Sequence, residues 1–172
     1  EVSMYAAVAR VNAIAALHGL YAGSAVPRVN LCDVIAAIGQ YLGTLFPETA
    51  LQLDTPADWR TVQLEEQEAV AVALIVNELL LNAAKSCVRE RCTVPVRIAA
   101  VRGDGEVCVS VVNAAGRLPE EFDLESARGL GTGLTLARSL LPSQGARLAI
   151  RQLAPQGVEA KLCLSAPVIV DS

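Results

Sequence analysis

Asn77, Glu78, Asn82 and Lys85 stand close together in the run Leu74-Ile-Val-Asn77-Glu78-Leu-Leu-Leu-Asn82-Ala-Ala-Lys85. On a helix turning about 100° per residue they fall within an arc of roughly 140°, with Val76, Leu79, Leu80 and Ala83 on the opposite side. Two carboxamides, a carboxylate and an ammonium offer oxygen ligands to a hard divalent cation such as Mg2+ and a counter-charge to phosphate. A solvated helix face is polar too, but it carries Glu–Lys pairs rather than carboxamides with so few charges around them.

Glycines form the second group. Gly129-Leu-Gly131-Thr-Gly133-Leu134 leads into a short amphipathic stretch that ends near Leu141. Glycine lets a backbone approach a ligand closely, and the free N–H groups at a helix N-terminus favour phosphate oxygens. The spacing fits neither a P-loop nor a dinucleotide-binding fingerprint, and a flexible loop with no nucleotide accounts for these glycines equally well.

Both groups need a scaffold, and the composition supplies one. The chain has 172 residues, 53% hydrophobic and 19% charged, with a mean hydropathy of +0.42. That suits one folded domain of about 100–200 residues and excludes a disordered segment. Apolar runs such as Ala69 to Val76 fall short of the ~20 residues of a membrane span, and Glu1 to Arg10 do not form a secretory signal. A cytoplasmic location with no membrane segment is therefore expected. The net charge of −4 and pI near 5.0 give no basic footprint for nucleic acid. Cys32, Cys87, Cys92, Cys108 and Cys163 are odd in number and scattered, and His18 is the single histidine. Zinc is not expected, and Cys108 and Cys163 read as small buried apolar residues, reduced as in the cytosol.

Apolar residues at Val2, Tyr5, Ala6, Ala9, Val11, Ile14, Leu17, Leu20 and Tyr21 mark a first helix ending at Gly23 and Ser24. It reads as a docked terminal helix or, preferably, as one arm of a bundle whose other arm lies outside this chain, so the stripe should drive self-association. Asn30 caps a second helix to about Leu45, followed by a short strand near Ala50–Leu53 and a polar loop holding Pro56 and Trp59. Glu65 opens the third helix. Alternation then marks strands at Val94–Arg102 and Glu106–Val112 about a Gly103-Asp104-Gly105 turn, and at Ala146–Leu153 and Val158–Leu164 about Pro155-Gln156-Gly157. Early helices and late, mostly antiparallel strands predict an α+β sandwich, one helical layer over one sheet.

In order and spacing these features resemble the ATP-binding catalytic domain of sensor histidine kinases, in the gyrase, chaperone, kinase and mismatch-repair ATPase group. Asn77 to Lys85 resembles the family's N box and Gly129 to Leu134 its second glycine box. Arg10-Val-Asn12 through His18 to Tyr21, followed by Val29-Asn30-Leu31, resembles the second dimerisation helix and the entry to the catalytic domain in the HWE-like branch. The resemblance spans essentially the whole chain. It implies a Bergerat-type sandwich at 25–172, with 1–24 as the second arm of a dimerisation hairpin, and ATP and Mg2+ as cofactors. Asn82 would ligate Mg2+, Asn77 would share its polar face, Glu78 would polarise the attacking group or a metal-bound water, and Lys85 would neutralise phosphate. Gly129, Gly131 and Gly133, with Leu134, would form the ATP lid. The implied partners are a response-regulator receiver domain and a second copy bound through the N-terminal helix.

Two departures stand out. The family's first glycine box, Asp-x-Gly-x-Gly before Leu-Pro, reads Asn113-Ala114-Ala115-Gly116-Arg117 before Leu118-Pro119. Asn113 replaces the carboxylate that accepts adenine's amino hydrogen, and Ala115 and Arg117 replace glycines, leaving Gly116 among the nucleotide contacts. A carboxamide oxygen accepts the same hydrogen bond without the charge, so affinity should fall about ten-fold, and the amide donor should relax the choice between ATP and GTP. The second departure is the phosphoacceptor. His18 matches an interior position of the second helix, so the accepting histidine lies outside this chain. One alternative is a kinase-like adaptor or phosphotransfer protein that keeps the fold without ATP. Another is a serine-phosphorylating anti-sigma kinase of the same group, which has no need of a dimerisation arm.

Overall fold

The computed structural model describes residues 4–54 and 62–171. Four helices, α1 (Met4–Ala22), α2 (Leu31–Leu45), α3 (Glu66–Arg89) and α4 (Thr132–Leu140), pack on a five-stranded sheet. Its strands are β2 (Leu51–Asp54), β4 (Val96–Gly103), β5 (Glu106–Asn113), β7 (Val158–Ser165) and β6 (Ala146–Gln152), in that spatial order. Only β2 runs parallel to its neighbour, so the sheet is mixed and mostly antiparallel. The fold is the expected α+β sandwich with an N-terminal helix. A second sheet, formed by β1 (Val29–Asn30), β3 (Val62–Leu64) and β8 (Ile169–Asp171), was not foreseen, because strands of two or three residues carry no readable period.

The alternation read from the sequence is what orients the sheet. Along β5, Val107, Val109, Val111 and Asn113 all point inward and are buried. Period two thus places Asn113 on the helix-facing side at the strand's end. α3 runs across that face and is buried nearly all round by α1, α2, α4 and the sheet. By length and composition it could cross a membrane, at a mean hydropathy of 1.5 in its best window, which the shorter unbroken runs did not reveal. Burial of 67% of that window inside the domain accounts for the composition.

α1 departs from expectation. Ala6, Ala9, Ala13 and Leu17 form its buried line against α2 and α3, within the same core as the sheet, whereas Tyr5 and Val11 of the expected stripe face outward. Alanines allow close helix approach at the start of this line, and Leu17, with half-buried Leu20 and Tyr21 packed against the core, completes the docked side. Asn30 does precede α2, but its side chain gives no cap; Nδ2 donates instead to Asp33 Oδ2 at 3.3 Å. The cysteine reading is corrected as well. Cys108 and Cys163 are directly opposite on β5 and β7 and are joined as a disulfide, and Cys108 is only half-buried. Cys32, Cys87 and Cys92 remain thiols. Val2, Pro56 and Trp59 lie outside the described residues.

Candidate functional site

A cleft of about 270 Å3 opens between α3, the end of β5, the 114–131 connection and the start of α4. Leu79, Val111, Leu134 and Ile150 make it apolar, and Asn82, Lys85 and Asn113 supply its polar groups. Gly116, Gly129 and Gly131 complete the wall, with Arg89 and Arg117 adding positive charge. Seven residues singled out from the sequence, Asn82, Lys85, Asn113, Gly116, Gly129, Gly131 and Leu134, therefore share one cavity.

Asn77, Glu78 and Gly133 are not in its lining. The single polar face expected of α3 is divided. Asn77 and Glu78 are each 1% exposed, and Glu78 reaches α1, whereas Asn82 and Lys85 are half-buried and line the cleft. Arg10 of α1 grips Glu78 with two donors, Nε to Oε1 at 2.7 Å and Nη2 to Oε2 at 3.2 Å. That bond raises the arginine's pKa further above its already high value. Asn77 Nδ2 donates to Glu78 Oε1 at 3.4 Å, while its Oδ1 is buried without a partner among the described residues. A buried carboxylate needs such pairing, and α1 is what provides it.

Gly133 explains how close α4 comes. A Cβ there would lie 2.5 Å from Glu78 Oε2 and 3.4 Å from Asn82 Oδ1, so the first turn of α4 sits directly on these two side chains. Its N-cap is Gly131, which has extended backbone and no side chain to cap with, and Thr135 N–H returns to Gly131 O at 3.0 Å. Neither Asn82 nor Lys85 makes a side-chain hydrogen bond among the described residues. The combination is one carboxamide oxygen, one ammonium and an uncapped helix N-terminus around one cavity. It can take a phosphate chain with a hard cation.

Asn113 is 4% exposed, and its Oδ1 is already engaged. It accepts Ala115 N–H at 3.1 Å and the Cys92 thiol at 3.7 Å. Burial, reinforced by neighbouring Cys87, pushes the Cys92 thiol up to about 11, so at neutral pH it is a protonated donor. The oxygen expected to accept adenine's amino hydrogen is therefore already engaged by two donors of the chain itself.

Arg10 and Cys92 took no role in the sequence reading. Arg10 was readable in part: it is the one arginine on an otherwise almost uncharged helix, and Glu78 is the one acid in the middle of α3. Nothing in the sequence ties Cys92 to Asn113, which meet only once α3 and β5 have packed.

No family model matches the sequence, and no curated protein matches it. Solved structures do. The histidine kinase domain of the EL346 blue-light activated histidine kinase from Erythrobacter litoralis superposes with a TM-score of 0.76 at 22% identity, over 94% of this chain and 79% of that one. The longer EL346 structure gives 0.71 at 20% identity, over 91% of this chain, which spans about half (47%) of that protein. The catalytic domain of histidine kinase ThkA gives 0.57 at 17% identity, over 80% of this chain and 94% of that one. The fold is that of histidine kinase ATP-binding domains, and at these identities the likeness speaks for the fold.

Proposed function

We propose that this chain is the nucleotide-binding, phosphoryl-transferring part of a two-component sensor histidine kinase of the HWE-like branch. It binds a purine nucleoside triphosphate, ATP by the resemblance, with Mg2+, and passes the γ-phosphate to a histidine outside the chain for relay to a receiver domain. The observation that carries this reading is the convergence of Asn82, Lys85 and the uncapped start of α4 on one cleft. Phosphoryl transfer asks a protein mainly for positioning and charge neutralisation. Asn82 Oδ1 is the group that would hold Mg2+, which when bound screens the phosphate oxygens from one another. Lys85 neutralises phosphate charge, the apolar walls take the base, and Gly129 and Gly131 let the backbone approach. Residues 25–172 form the catalytic domain and 1–24 the second arm of a dimerisation hairpin. A cytoplasmic position follows from the nucleotide.

Calorimetric titration tests this directly. Saturable binding of ATP is expected with Mg2+ and a much weaker interaction with EDTA, with inorganic tripolyphosphate competing. No binding of either at millimolar concentration would remove the reading and favour the adaptor. One feature supports that second reading: Glu78, the residue offered for catalysis, is closed in an ion pair with Arg10 and absent from the cleft lining.

Dimerisation belongs to the proposal too. Met4, Val8, Val11 and Ala15 recur at spacings of four, three and four on the exposed side of α1, the seam spacing of paired helices. Val11→Glu, at a residue 66% exposed, should weaken self-association in sedimentation while leaving the melting temperature nearly unchanged. If the wild type stays monomeric at all concentrations, α1 is only a docked helix.

A further inference from the structure

We propose that the base side of this cleft selects a 6-oxopurine, so that guanosine or inosine triphosphate binds in preference to ATP. This rests on the nucleotide reading above and concerns a different part of the same site. Asn113 ends β5 on its inward face and lines the cleft, 4% exposed. Its two amide atoms have opposite situations. Oδ1 takes the Ala115 N–H at 3.1 Å and the Cys92 thiol at 3.7 Å, both donors. Nδ2 makes no hydrogen bond among the described residues and faces Gly116, where a Cβ would stand 3.2 Å from it. Gly116 also lines the cleft, and a Cβ on it would meet Val158 at 3.0 Å as well, so the missing side chain is what leaves room beside this donor.

The orientation of an amide is fixed by its neighbours. Turning Asn113 over would set Nδ2 against the Ala115 N–H, donor against donor, with that backbone group's acceptor gone. Asn113 consequently offers the ligand an N–H donor. Guanine and hypoxanthine carry a carbonyl oxygen at the 6-position and accept it. Adenine carries an amino group there, which would put donor against donor in a mostly apolar cavity and leave both unpaired. Discrimination of this kind comes chiefly from the unpaired groups in the wrong complex. The sequence alone suggested relaxed discrimination; the bond from Ala115 converts it into a reversed preference.

The experiment titrates the wild-type chain with the Mg2+ complexes of ATP, GTP and ITP, and with tripolyphosphate as the base-free probe. GTP and ITP should bind about ten-fold or more tightly than ATP, and ITP, which lacks guanine's 2-amino group, isolates the contact at the 6-position. Asn113→Asp keeps one oxygen for Ala115 N–H and turns a second acceptor to the cleft, so it should invert the order in favour of ATP. Wild-type binding of ATP as tight as that of GTP and ITP overturns the proposal. Tripolyphosphate binding with no difference among the three nucleotides overturns it too, while sparing the phosphate reading. If no probe binds, both fail. The wild-type comparison of ITP with ATP stands even if Asn113→Asp does not fold.

Discussion

Replacing Arg10 by methionine should cost the folded protein about 3–5 kcal/mol, because it strips the only counter-charge that the described residues give to Glu78. Glu78 is 1% exposed, and its carboxylate is held by both guanidinium donors at 2.7 and 3.2 Å. The remaining contact, from the Asn77 amide at 3.4 Å, is long and neutral. Methionine keeps most of the side chain's length and apolar stem, so the loss isolates charge and hydrogen bonding from packing. Urea unfolding of wild type, Arg10→Met, Glu78→Gln and the double variant reads the effect. The double variant should recover most of the loss, since no bare charge is then buried. A loss under about 1 kcal/mol for Arg10→Met would mean that α1 is held by its alanine face alone. The sign of the arginine's own share in any pH effect is fixed as well. Arg10 is raised by its partner, so its share is complete throughout the neutral range and disappears only in strong alkali.

The same pair shows what the sequence could and could not disclose. Long periodic elements were legible: α3 begins at Glu66 and the hairpin turns at Gly103 to Gly105, close to where alternation and turn residues put them. Short strands were not, and β1, β3 and β8 exist because their neighbours align them rather than through any pattern of their own. Composition suggested a polar set on α3 suited to a cation and phosphate but could not divide it. Whether a polar residue on a buried helix faces a cleft or a neighbouring helix depends on what packs beside it, and Arg10 is 68 residues from Glu78. The disulfide escaped for the same reason, because β5 pairs with β7 across 55 residues rather than with the next strand in the chain. Asn113 was recognised by its position, yet the direction of its amide depends on Ala115 N–H and a thiol from beyond α3. Residue type and spacing thus indicated which residues would gather at one cleft, and packing disclosed which of them line it.

Asn82 is the residue on which the metal assignment turns, and Asn82→Ala should lower Mg2+-dependent nucleotide affinity about 100-fold, or about 2.8 kcal/mol. Its side chain is half-buried, bonds to nothing among the described residues and places Oδ1 beside Gly133, at the first turn of α4. Removing it breaks no hydrogen bond in the fold, and alanine is the better helix former, so stability should be unchanged or slightly higher. The loss then has to appear in binding. With EDTA, wild type and variant should bind nucleotide equally weakly, because Lys85 and the α4 N-terminus are intact in both. With Mg2+ only the wild type should gain. Asn82→Asp separates ligation from shape, since it preserves an oxygen at the same place and should retain much of the Mg2+-dependent increment. An increment that survives in Asn82→Ala would show that the cation is held from elsewhere in the cleft, and the assignment of Asn82 would fall while the cavity and the uncapped start of α4 remained.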